Sequence, residues 1–187
     1  MKRTDIDGWA TAVLATGMFL GSLVGTVVRA EEDASLSEIY DWAGRALFAQ
    51  EQYPQAAEEF LYAAGRDSTN YQVLHRAGEA LHMAADFTGA EKMYLRAIQI
   101  KPDAAKTYCT LGVAYLKMKR GREAEEAWRA AIRVDPRFQE GIAYYNLASE
   151  MKHQGRTAAV DSICRELAEV EPVWEQRLRE TLAKPHH

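Results

Sequence analysis

The chain repeats itself at a fixed interval. AIQIKPDA begins at Ala97 and AIRVDPRF at Ala131, 34 residues later. Pro102, Pro136 and Pro172 stand 34 and 36 residues apart. A period of this size constrains the fold strongly. Each period must be one supersecondary unit that shelters its apolar face only against its neighbours. Laid over one another, residues 37–70, 71–104, 105–138 and 141–174 form columns of like chemistry.

In the first half of each unit the columns are Tyr40, Leu74, Tyr108, Tyr144, then Ala43, Ala77, Leu111, Leu147. Gly44, Gly78, Gly112 and Ala148 follow at once, and Leu47, Leu81, Tyr115 and Met151 come three residues later. Those steps trace one stripe of an α-helix. Glycine there costs about 1 kcal/mol of helix propensity, so its purpose is to let a neighbouring helix come close. The second half aligns Ala56, Ala90, Ala124, Val160, then Phe60, Tyr94, Trp128, Cys164, then Ala63, Ala97, Ala131, Leu167. Small, large, small at spacings of four and three is a second helical face. Ser68, Pro102, Pro136 and Pro172 close the units, proline because it lacks the backbone donor and clashes with the preceding turn. Ser35 and Glu38 have capping-box spacing, Pro54 suits a first helical turn, and Gly121 and Gly155 are placed in turns between paired helices. Gln139 and Glu140 lengthen the third junction.

These columns resemble the tetratricopeptide repeat (TPR), with its aromatic–Leu–Gly–Tyr first helix, Ala–aromatic–Ala second helix and terminal proline. Tyr108, Leu111, Gly112, Tyr115, Ala124, Trp128, Ala131 and Pro136 match it almost completely, whereas the unit at 141–174 is degenerate. The expected fold is all-α: a right-handed α-solenoid of four TPR helix pairs over residues 37–187, closed by a capping helix at 172–183. Trp174, Leu178 and Leu182 recur at four-residue steps on that last helix, suited to covering the final unit.

Residues 1–30 read as a separate object, joined through a linker at 31–36. Residues 9–28, WATAVLATGMFLGSLVGTVV, carry no charge. Twenty residues at about 1.5 Å each span the roughly 30 Å of a bilayer core, so one transmembrane helix is expected. The length favours a retained anchor. Val28-Arg29-Ala30 leaves slim residues suited to a signal peptidase, so a cleaved signal peptide is the alternative. Lys2 and Arg3 before the segment place the N-terminus in the cytoplasm and the repeats in a bacterial periplasm. A receptor-like arrangement with the repeats facing cytosol is a further possibility. Gly17, Gly21 and Gly25 share one face, suited to lateral helix–helix contact in the membrane.

The resemblance implies that the first helix of each pair lines a concave groove. One position off the core stripe, that face carries Asp41, Arg45 and Phe48, then His75, Glu79 and His82, with Met83 beside them. It continues through Cys109, Val113, Leu116 and Lys117 to Tyr145, Ser149 and Lys152. Val113 and Leu116 are apolar where a merely solvated face would be polar. Members of the family that grip a C-terminal carboxylate use lysine and asparagine at the start of the groove. Asp41 and Arg45 stand there instead, so that chemistry is not carried over.

The leading expectation is therefore a non-enzymatic, membrane-tethered scaffold that binds a partner protein through the groove, for assembly or stabilisation of a membrane or cell-envelope complex. A periplasmic chaperone with a cleaved signal peptide is one alternative. Metal or haem binding is another, since His75, Glu79 and His82 share a face and Cys109 occupies the matching place in the next unit. No recognised ligand spacing accompanies them, so no metal or cofactor is expected. A net charge of −4 without any Lys/Arg run argues against nucleic acid. GxSxG, HExxH and GxxxxGK[ST] are all absent from the sequence, which argues against an enzyme.

Overall fold

A computed structural model of the chain describes residues 35–183. Among them are nine α-helices, one short 3-10 turn and no strand. Helix α1 covers residues 35–49, followed by α2 (Tyr53–Arg66), α3 (Tyr71–Met83), α4 (Phe87–Ile100) and α5 (Ala105–Lys117). Then come α6 (Gly121–Val134), the 3-10 turn (Phe138–Gly141), α7 (Ile142–His153), α8 (Thr157–Val170) and α9 (Pro172–Ala183). Consecutive helices from α2 to α9 pack on one another, and Gly44 of α1 meets Phe60 of α2, giving a TPR-like solenoid of helix pairs.

The membrane expectation is corrected. No helix among the described residues is long and apolar enough to cross a bilayer, so a single-pass membrane protein with a periplasmic repeat domain is not supported. The apolar stretch 9–28, with Gly17, Gly21 and Gly25, lies outside the described residues. Its length and lack of charge carried the expectation.

Within the stack, the tiny residue of each first helix receives the large residue of the second. An added Cβ would sit 2.8 Å from the Phe60 ring at Gly44, 2.5 Å from Tyr94 at Gly78, and 2.4 Å from the Trp128 indole nitrogen at Gly112. Phe60, Tyr94 and Trp128 are themselves almost wholly buried. The fourth pair changes both members: Ala148 replaces the glycine and Cys164 the aromatic, and both are fully buried. A smaller partner leaves room for a methyl group. Flanking alanines at 56, 63, 90, 97, 124 and 131 are equally inaccessible and let the helices approach along their length.

The turn inside each pair has one geometry. Glu51, Ala85, Lys119 and Gly155 adopt left-handed φ of 60°, 64°, 61° and 72°. At each, the N–H of the next residue (Gln52, Asp86, Arg120, Arg156) reaches back to the carbonyls of Leu47, Leu81, Tyr115 and Met151. This is the six-to-one bond of a Schellman C-cap. Gly121, expected in such a turn, is instead the first residue of α6, and Lys119 holds the left-handed position. A non-glycine there costs about 1–2 kcal/mol, of which glycine's looser unfolded chain would forfeit about 0.4–1. Ala85→Gly is therefore expected to raise the unfolding free energy by about 0.5–1 kcal/mol. A higher denaturant midpoint at unchanged m-value checks this.

Helix starts use side chains where these exist. Asn70 Oδ1 accepts the N–H groups of Gln72 and Val73 at 3.2 and 3.3 Å, and Asp86 Oδ1 accepts that of Gly89 at 2.9 Å. The two-residue insertion is absorbed at the third junction, where Gln139, Glu140 and Gly141 are left-handed in succession, with φ of 44°, 55° and 77°. Helix α9 lays buried Leu178, flanked by Trp174 and Leu182, on the core that runs from α4 onward.

Candidate protein-binding face

The first helices of the first three pairs, α1, α3 and α5, build one face with two small cavities. One, of about 240 Å³, is walled by Phe48 of α1, Glu79, His82 and Met83 of α3, Tyr94 of α4, and Thr110 and Val113 of α5. The other, of about 220 Å³, is walled by Arg45, Phe48 and Ala49 of α1, Phe60 of α2, and Arg76 and Glu79 of α3. Phe48 and Glu79 belong to both. Of the residues picked from sequence, Arg45, Phe48, Glu79, His82, Met83 and Val113 are thus brought together. Met83 is half exposed, and Val113 is partly buried against the core.

The remaining picks lie elsewhere. Asp41 is held by Arg76 at 2.7 Å. Leu116 and Lys117 are exposed at the end of α5 and wall neither cavity. Tyr145 borders a separate cavity against Trp174 and Leu178 of α9. Lys152 donates to the Leu182 carbonyl, also on α9, and Ser149 is half-buried. His75 and Cys109 are buried as whole residues, although His75 borders a cavity at the starts of α3 and α5. One position off the stripe faces solvent only where no neighbouring helix overlies it, and both are covered.

A charged cluster crosses from α3 to α5. Glu79 Oε1 lies 2.8 Å from Lys106 Nζ and 3.2 Å from His75 Nε2, while His75 Nδ1 lies 3.1 Å from the Thr107 hydroxyl. Burial pushes the Glu79 carboxyl up, but His75 and Lys106 together outweigh it and hold the pKa at about 2. Its folded pKa is below its unfolded one, so its stabilisation is complete above about pH 4.5 and is lost as pH falls towards 2. Glu79→Gln is therefore expected to flatten the fall in unfolding free energy across that window. Urea titrations at stepped pH check this.

The proposed metal set does not assemble. His82 packs edge-on against Phe87 at 5.1 Å, and burial, with Lys117 nearby, lowers its pKa towards the neutral ring. Burial pushes the Cys109 thiol up to about 11, against a weak opposing contact from Asn146 Nδ2 at 3.7 Å. Among the described residues, no three His, Cys, Asp or Glu side chains stand where they could hold a metal ion.

Sequence reasoning missed part of the face: Arg76, Lys106 and Thr110 lie on α3 and α5 beside the residues followed, and Tyr94, read as core, reaches the face from α4. It also missed a cavity of about 640 Å³ at the starts of α3 and α5, bounded by Tyr71, Lys101, Lys106, Asp135 and Phe138 among others. Most of its walls come from α3 and α5 themselves, His75, Arg76 and Glu79 among them, so two of the residues picked from sequence border it; the junction residues Lys101, Asp103, Ala104, Asp135 and Phe138 close it.

Comparison with known proteins agrees with the geometry. A family model described as "Tetratricopeptide repeat" matches residues 105–138. The human protein O-mannosyl-transferase TMTC3 is 26% identical over 130 residues, 63% of this chain but 14% of that protein. The STIP1 homolog of Dictyostelium discoideum is 31% identical over 114 residues, covering 58% of this chain and 19% of its own length. The chain thus spans a small part of the curated relatives it matches. Among solved structures, MamA superposes with a TM-score of 0.65 at 20% identity, covering 86% of this chain and 87% of that one. The first TPR of Spaghetti (RPAP3), bound to the HSP90 peptide SRMEEVD, gives 0.60 at 18% identity over 65% of this chain and 95% of its own. Residues 105–138 are a tetratricopeptide repeat, set in a stack of helix pairs with the fold of TPR structures.

Proposed function

We propose that the chain is a non-enzymatic adaptor that holds a segment of a partner protein along the face of α1, α3 and α5. The observation that supports this is the pair of cavities sharing Phe48 and Glu79, with exposed Met83 at the rim. Both are smaller than the roughly 300–1,000 Å³ of a typical small-molecule site, and their size suits side chains entering from a bound segment. Similar structures, the first and second TPR domains of RPAP3, hold HSP90 and HSP70 peptides, and those partners belong to those proteins. The matched part of TMTC3 is a seventh of that protein or less, and the transferase activity in its name is not carried over.

Two substitutions test the reading together. Met83→Glu places a charge at a half-exposed rim, so partner capture by the full-length chain is expected to fall more than tenfold with the melting temperature unchanged. Val113→Glu puts a charge against the core and should lower both. Capture unaffected by Met83→Glu would overturn the proposal.

A further inference from the structure

The first helix pair leaves open a face that the later pairs cover. In α3 and α5 the third position of the unit packs on the pair before it. Val73 clusters with Ala63 and Ala64 of α2, and the Thr107 hydroxyl lies 3.1 Å from His75 Nδ1 of α3. Both residues are 1% exposed. The corresponding residue of α1 is Ile39, 57% exposed. Three positions further on, Arg76, Thr110 and Asn146 are polar and half-buried, whereas α1 carries Trp42, 70% exposed. Ile39, Trp42, Ala46 and Ala49 recur at steps of three and four, so they form one row along α1. Glu38 and Arg45 lie two turns apart on a single edge of that row. Both are exposed, and neither makes an ion pair among the described residues.

We propose that this row docks on the same row of a second copy of the chain, antiparallel about a two-fold axis near Trp42. Large apolar side chains exposed in one row mark a docking surface, and the charge pattern selects the occupant. Antiparallel pairing of two like helices brings the same edge of each together. Glu38 of one copy then approaches Arg45 of the other, and the two-fold axis repeats the contact. Parallel pairing would put like charges at the same level. Ile39 and Trp42 lose their exposure against the partner copy, while the charged edge fixes direction and register. One helix from each copy makes a contact below the standard interface size, so the dimer is weak and concentration-dependent. The row is separate from the two cavities of the partner-binding face, apart from Arg45, which borders both. The contact stands whether or not that face holds a partner.

Sedimentation equilibrium of the full-length chain tests the contact. Wild type is expected to pass from monomer to dimer with a dissociation constant on the order of 0.1 mM. Trp42→Glu should raise that constant about tenfold or more, with the helical circular dichroism unchanged because the position is open to solvent. Glu38→Arg and Arg45→Glu should each weaken self-association about threefold or more by setting like charges opposite one another. Both changes in one chain restore the alternation, so that chain should dimerise about as well as wild type. An equal mixture of the two single variants should form the heterodimer in preference to either homodimer, as read by native mass spectrometry. Three results would each overturn the proposal: a chain monomeric up to about 1 mM, an association that Trp42→Glu leaves intact, or single charge variants rescued neither by the double exchange nor by mixing. Cover of the row by another part of the same chain gives the first result, and association through another part of the chain gives the second.

Discussion

Trp128→Ala is expected to lower the unfolding free energy by about 3–5 kcal/mol, a large share of the roughly 5–15 kcal/mol of an ordinary domain. The side chain is 1% exposed and sits in the core cluster that joins α4 to α9. Its indole nitrogen donates to the Cys109 carbonyl at 3.2 Å, tying α6 to α5. Truncation removes the burial, leaves a cavity between close-packed helices, and strands an acceptor. In a linear stack each pair relies on its neighbours, so loss at the third pair also loosens the second and fourth. Denaturant titration followed by far-ultraviolet circular dichroism checks the magnitude, and a broadened or split transition would report the decoupling.

Gly112→Ala is expected to destabilise by about 1–2 kcal/mol although it is a helix-favouring change. Alanine gains about 1 kcal/mol of propensity. Against this, its Cβ would stand 2.4 Å from the Trp128 nitrogen and 2.7 Å from the adjacent ring carbon. The ring is enclosed and hydrogen-bonded, so it cannot retreat freely, and overpacking of this kind costs about 1–3 kcal/mol, beside the weakened hydrogen bond. The fourth pair predicts the remedy. It carries Ala148 with Cys164, the smaller large partner with the larger small one. In a Trp128→Cys background, Gly112→Ala should be neutral or stabilising. A double-mutant cycle should therefore return a favourable coupling of about 1–3 kcal/mol. Additivity would mean that the glycine is not there for the indole.

That pairing was legible in the sequence because both partners recur in register. Gly44, Gly78 and Gly112 could be assigned to close approach, and the aromatic column supplied what approaches. Turn geometry was legible only at Gly155. Ala85 and Lys119 adopt the same left-handed backbone without the residue that would announce it, and Gly121 drew attention to the wrong position. For the face, helical spacing led to Phe48, Glu79, His82 and Val113, one helix row per unit, with Met83 beside it. It could not distinguish them from His75 and Cys109 in the same rows, because exposure there depends on how closely the next helix overlies the row. Nor could it find the Glu79–Lys106 pair, which joins two repeats, or the reach of Tyr94, read as core, onto the face from α4. The apolar length of residues 9–28 suggested a membrane span, and no helix among the described residues supports one.

The most direct measurement of the central claim is amide and methyl chemical-shift mapping of the full-length chain titrated with a bound partner segment. The account predicts that perturbations concentrate at Phe48, His82, Met83, Thr110 and Val113, on the face of α1, α3 and α5. Perturbations concentrated instead at exposed Leu61, Leu95 and Ile100 on α2 and α4, with that face silent, would contradict it.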